Sequence, residues 1–78
     1  MKTKAVFYHA GCPVCVDAEN QVVTALDRSR YEVEIVHLGK EKSRLDEARR
    51  QGVKSVPALV IDQQVYHINF GASVDQLT

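Results

Sequence analysis

The chain has 78 residues, 45% of them apolar, and its ten lysines and arginines are balanced by ten aspartates and glutamates. That length leaves room for one domain, spanning residues 1–78, with a thin core. A net charge of zero argues against a nucleic-acid partner, which needs a basic patch, and no apolar run approaches the ~18 residues of a membrane span.

The apolar, aromatic stretch Ala5–His9 predicts a buried strand. Lys2 and Lys4 ahead of it superficially resemble the start of a secretion signal. The apolar run stops at His9, short of the ~7–15 residues of a signal core, so a cytoplasmic location is expected. Ala10–Pro13 predicts a turn that opens a helix, with Pro13 at the first helical position, where its missing N–H costs nothing. Cys15, Ala18, Val22, Ala25 and Leu26 recur at helical spacing.

Tyr31–Leu38 alternates Glu32 and Glu34 with Val33 and Ile35, the pattern of a half-exposed strand at a sheet edge. Gly39–Lys42 is a polar connection. Ser43 and Asp46 suggest a capping box for a short helix, Arg44–Gln51, with Leu45 and Ala48 inward, a solvated arginine face and Gly52 as terminator. Ala58–Asp62 and Val65–Phe70 predict two strands joined by a tight turn at Gln63-Gln64, with Gly71 as a strand breaker. Ala72–Thr78 has length for one or two helical turns, capped by Ser73. The order is β-α-β-α-β-β-(α): a parallel βαβ unit, then a hairpin. It predicts a four-stranded mixed sheet flanked by helices, with a short last helix.

Cys12 and Cys15 are separated only by Pro13 and Val14. A loop that short barely constrains the unfolded chain, so the pair is there for its chemistry and not as a staple. At a strand-to-helix junction, Cys12 meets the unpaired N–H groups of the first helical turn, which favour thiolate over thiol. Cys15, one turn on, is placed to attack a mixed disulfide and resolve it. Pro13 stiffens the turn, and Gly11 lets a substrate disulfide come close. Two alternatives compete. Inert buried cysteines fit worse, because Cys12 falls ahead of the helix. His9, Cys12 and Cys15, with His37 or His67 as a fourth ligand, offer a metal clip or redox switch without catalysis. Structural zinc usually uses paired Cys knuckles, so no metal is expected. His9 could also tune the thiolate.

Gly11-Cys12-Pro13-Val14-Cys15, then Gly52 to Ile61 with Val56-Pro57, then Gly71-Ala72-Ser73 together resemble the thioredoxin/glutaredoxin superfamily, and the order of elements matches over nearly the whole chain. The CPVC site and short length look like the small glutaredoxin-like thioredoxins. The resemblance implies a thioredoxin-like fold and a thiol–disulfide oxidoreductase with Cys12 as nucleophile and Cys15 as resolving thiol. It also implies a cis bond before Pro57, with the backbone of Val56 and the Gly71-Ala72 segment beside the substrate. The implied partners are a disulfide-containing protein, with glutathione or thioredoxin reductase as electron donor. No cofactor is expected beyond the redox disulfide, with glutathione as a possible co-substrate, and the expected state is a monomer. The chain departs from thioredoxins in having Gly11 where they usually carry Trp. It departs from glutaredoxins in having His9 where they usually carry Lys. Its last helix is shorter than in either branch, which raises the question of an apolar face left for a second chain.

Overall fold

The computed structural model describes residues 2–77, without the side chains of Asn69 and Phe70. Four strands, β1 (Thr3–His9), β2 (Tyr31–His37), β3 (Ser55–Ile61) and β4 (Gln64–Ser73), form one sheet in the order β2-β1-β3-β4. β1 pairs parallel with β2 and antiparallel with β3, and β3 pairs antiparallel with β4. The mixed sheet and the edge position expected for the Glu32/Glu34 strand are both present.

The strands place alternate residues on opposite faces. Ala5 and Phe7 of β1 pack with Leu59 under Ala18 and Val23, from the helix α1 (Pro13–Ala18) and its continuation. Tyr8, with Val36, Ala58 and Val60, packs under Leu45 and Ala48 of the helix α2 (Leu45–Arg50). Each face therefore has its own small apolar cluster and its own short helix. Among the described residues, no helix is long and apolar enough to cross a membrane.

Several local expectations are corrected. The first helix does not run on as an α-helix: after Ala18 it widens into a π turn, Glu19–Val23, where the β-branched run Val22-Val23-Thr24 weakens the α-helical preference. Ala25, expected on its inner face, is exposed. Ser43 caps nothing. It lies inside a 3₁₀ turn, Lys42–Arg44, and Arg44 precedes α2 with no side-chain cap.

The hairpin turn falls at Asp62-Gln63, one residue earlier than expected, with φ of 49° and 68°. Two left-handed residues in a two-residue loop match the twist of the flanking strands. Gly71 does not end β4, which runs on to Ser73. Between the pairs Val56–Ala72 and Ala58–His67 the register shifts, so that residues 68–71 of β4 bulge opposite Pro57 alone. The last helix is reduced to a 3₁₀ turn, Val74–Leu77, and Thr78, also part of the expected helix, lies outside the described residues. This turn joins the α2 side: Val74 N–H donates to Lys54 O at 2.9 Å and Leu77 packs against the α2 cluster.

Candidate functional site

The site forms where β1 ends and α1 begins. Gly11 takes the chain across with φ of 77°, a left-handed conformation that most side chains disfavour. A β-carbon there would also stand 2.6 Å from His37 Nε2. Cys12 follows as the N-cap of α1, in extended backbone, and its Sγ accepts the Cys15 N–H at 3.1 Å. Pro13 is the first helical residue, as expected. Cys12 and Cys15 are joined as a disulfide with their Cα atoms 4.9 Å apart.

The two sulfurs have different surroundings. Cys12 is half-buried and Cys15 fully buried, its Sγ accepting the Ala10 N–H at 3.5 Å. An attacking thiol needs access, and a resolving thiol needs only its partner.

Pro57 follows Val56 through a cis bond, the geometry the resemblance implied. Val56 and Ala72 face one another in the β3–β4 ladder, and both join the apolar cluster that holds Cys12 and Cys15. β1 pairs with β3 only over Ala58–Ile61. Ser55–Pro57 thus overshoots it, with β4 on one side and no strand on the other. Gly71 lies against the disulfide itself. A β-carbon there would run into Cys12 Sγ, with Cys15 Sγ at 3.4 Å and Val56 O at 3.0 Å. Glycine inside a strand often marks such an approach.

His9 is buried, and its Nδ1 accepts the Gly11 N–H at 3.1 Å, so it holds the segment that leads into Cys12. Burial, and then the neighbouring His37, push its pKa below the usual imidazole value, while Glu19, with Oε1 at 3.8 Å from Nε2, opposes the shift. His37, offered by the sequence only as a possible fourth metal ligand, closes β2. It is the register partner of His9, with ring centroids 4.7 Å apart, and it packs against Gly11. The signal was available: both histidines close a strand of the parallel pair, and each is followed two residues later by a glycine. His67 instead accepts the Lys54 N–H through Nε2 at 3.1 Å. Among the described residues, no group of three or more His, Cys, Asp or Glu is placed to hold a metal ion.

A thioredoxin-domain family model matches residues 1–76. The chain belongs to the thioredoxin-domain family. Among solved structures it is similar to a dimeric thioredoxin-like protein from Nitrosomonas europea, at 64% identity and a TM-score of 0.93. The match covers 99% of this chain and 96% of that one. No curated protein matches. The thioredoxin-like fold expected from the two motifs is thus established, and the domain carries a Cys-x-x-Cys disulfide. The expected monomer finds no support, since the Nitrosomonas protein is described as dimeric.

Proposed function

We propose that this thioredoxin-domain protein is a small dithiol–disulfide oxidoreductase. The observation that carries the reading is the unequal pair at the start of α1, with an accessible Cys12 at the N-cap and a buried Cys15 one turn below. In the reduced protein the Cys12 thiolate attacks one sulfur of a substrate disulfide. A mixed disulfide forms and one substrate thiolate leaves. The Cys15 thiol then gives up its proton and its sulfur attacks Cys12 Sγ. The Cys12–Cys15 disulfide forms, the second substrate thiolate leaves, and two electrons have passed to the substrate. The Cys15 N–H that points at Cys12 Sγ at 3.1 Å favours the thiolate.

Substrate recognition follows from the overshooting end of β3. An extended peptide disulfide can lie along Ser55–Pro57 by main-chain pairing, beside the half-buried Gly71 that backs the disulfide. We place the protein in a reducing, cytoplasmic compartment, with residues 1–78 acting as one domain. Its electron donor is glutathione or a thioredoxin reductase. The dimeric state of the Nitrosomonas relative is extended to this chain in place of the monomer.

Insulin reduction with dithiothreitol tests the chemistry. Cys12→Ser is expected to lose all catalysed reduction, and Cys15→Ser to lose multiple turnover while still forming a covalent adduct. Reduction by Cys12→Ser at the wild-type rate would sink the reading. Recycling of the oxidised protein by glutathione, against NADPH with thioredoxin reductase, identifies the donor.

A further inference from the structure

From Gln64 to Ser73, β4 carries no Asp, Glu, Lys or Arg, and it is an edge of the sheet. The other edge, β2, carries Glu32 and Glu34, and Glu34 is tied to Lys4 and Arg44. Charges on an edge strand oppose pairing with another chain, and an uncharged edge lacks that protection.

The side chains point the same way. Ile35, Phe7, Leu59 and Tyr66 are successive register partners and so form one row across the sheet. The helix above covers the middle of the row, leaving Phe7 and Leu59 buried. Its ends remain open, with Ile35 42% and Tyr66 53% exposed. Ile35 stands in the charged strand and Tyr66 in the uncharged one. The C-terminal turn gives Tyr66 no cover, because it packs on the α2 side, where Arg49 reaches Asp75.

We propose that two copies of this chain join through their β4 edges across a two-fold axis, with Tyr66 of each copy packed on the other. This rests on the dimeric reading above and names its surface. A two-fold contact brings the same strand of both copies together, antiparallel, as edge-to-edge pairing allows. A standard partner footprint of ~800 Å² is about one sixth of the 4882 Å² surface of the chain, more than one strand edge supplies. The half-buried Ile61 and Ile68, which lie on the Tyr66 side, therefore belong to the contact as well. Pairing centres on Gln64–His67, toward the hairpin turn. The disulfide lies toward the other end of β4, against Gly71 of the bulge, so both Cys12 residues stay open to substrate.

Sedimentation velocity across a concentration series tests the surface, using the full chain, Tyr66→Lys and Ile35→Lys. Both substitutions are at well-exposed positions, and an amide spectrum checks that each variant is folded. Wild type is expected to be a dimer. Tyr66→Lys is expected to raise the dimer dissociation constant at least ~100-fold, because two unpaired ammonium groups would be buried face to face. Ile35→Lys is expected to leave it within about threefold. Concentration-dependent protection of the Gln64–His67 amides from hydrogen exchange is the second expected sign. A monomeric wild type would overturn both the dimer and the surface. A dimer that survives Tyr66→Lys, or dissociates with Ile35→Lys, would overturn the surface and leave the dimer standing.

Discussion

Two glycines and two histidines set the geometry around Cys12. Gly71 has no room for a side chain, because the disulfide occupies that place. Gly71→Ala must push β4 off the cysteines or displace Cys12. It is expected to cost about 1–3 kcal/mol, as overpacking does, measured by urea unfolding of the oxidised protein. His9 offers a pH test. Its Nδ1 can accept the Gly11 N–H only while unprotonated, and its neighbours are His37, Glu19 and Lys40. Because its folded pKa lies below 6.5, the unfolded chain takes up the proton first as pH falls. The stability it supports is complete above that value and drains away as pH drops from 6.5 toward the folded pKa. His9→Asn, which keeps an acceptor oxygen but does not titrate, is expected to flatten that part of the pH–stability curve. An unchanged curve would remove His9 from the account.

At the scale of elements, the main surprise was polar. The Arg44–Arg50 group was expected to form a solvated face, and Arg49 and Arg50 are exposed. Arg44, just ahead of α2, instead forks to Glu34 at 2.9 Å and Glu47 at 2.8 Å, and buried Tyr8 donates its O–H to Glu47. Burial, then Glu47, raises the Tyr8 pKa, and the Arg44 hydrogen bond chiefly holds both glutamates below their usual 4.5. Their contribution to stability is present above pH 4.5 and is lost as pH falls from there through the lower folded values. Tyr8→Phe leaves the ring and removes the donor, and is expected to cost about 0.5–1.5 kcal/mol in thermal or urea unfolding at pH 7. The hairpin gives a prediction of opposite sign. Gln63 holds φ of 68° with a full side chain, so Gln63→Gly is expected to stabilise by about 0.5–1 kcal/mol.

These elements also show what a sequence can and cannot reveal. The strands were legible because Ala5–His9 and Ala58–Asp62 are short apolar runs, and the alternation of Glu32 and Glu34 with Val33 and Ile35 marked an edge. Cys12 was legible because Pro13 signals the first helical turn. The π turn after Ala18, the four-residue bulge opposite Pro57 and the packing of Gly71 on the disulfide were not. Each depends on how separate elements meet. The same holds for Arg44, whose partner Glu34 is ten residues away on β2.

At the scale of the whole molecule, 78 residues divide into two thin clusters on either side of one sheet, each under a single short helix. Such a chain has little apolar burial to spare. That economy explains why the C-terminal turn covers only one side and why Tyr66 is left exposed on the other. It also explains why the redox pair sits at the rim of the core: Cys15 is part of the buried cluster and Cys12 is its exit to solvent.

The central claim is that Cys12, and not Cys15, meets the substrate. The most direct measurement is to mix the Cys15→Ser variant with a disulfide-bonded peptide and locate the trapped mixed disulfide by mass spectrometry. The account predicts one stoichiometric adduct on Cys12, and no adduct on Cys15 when Cys12→Ser is treated in the same way. A stable adduct on Cys15, or none on Cys12, would contradict it.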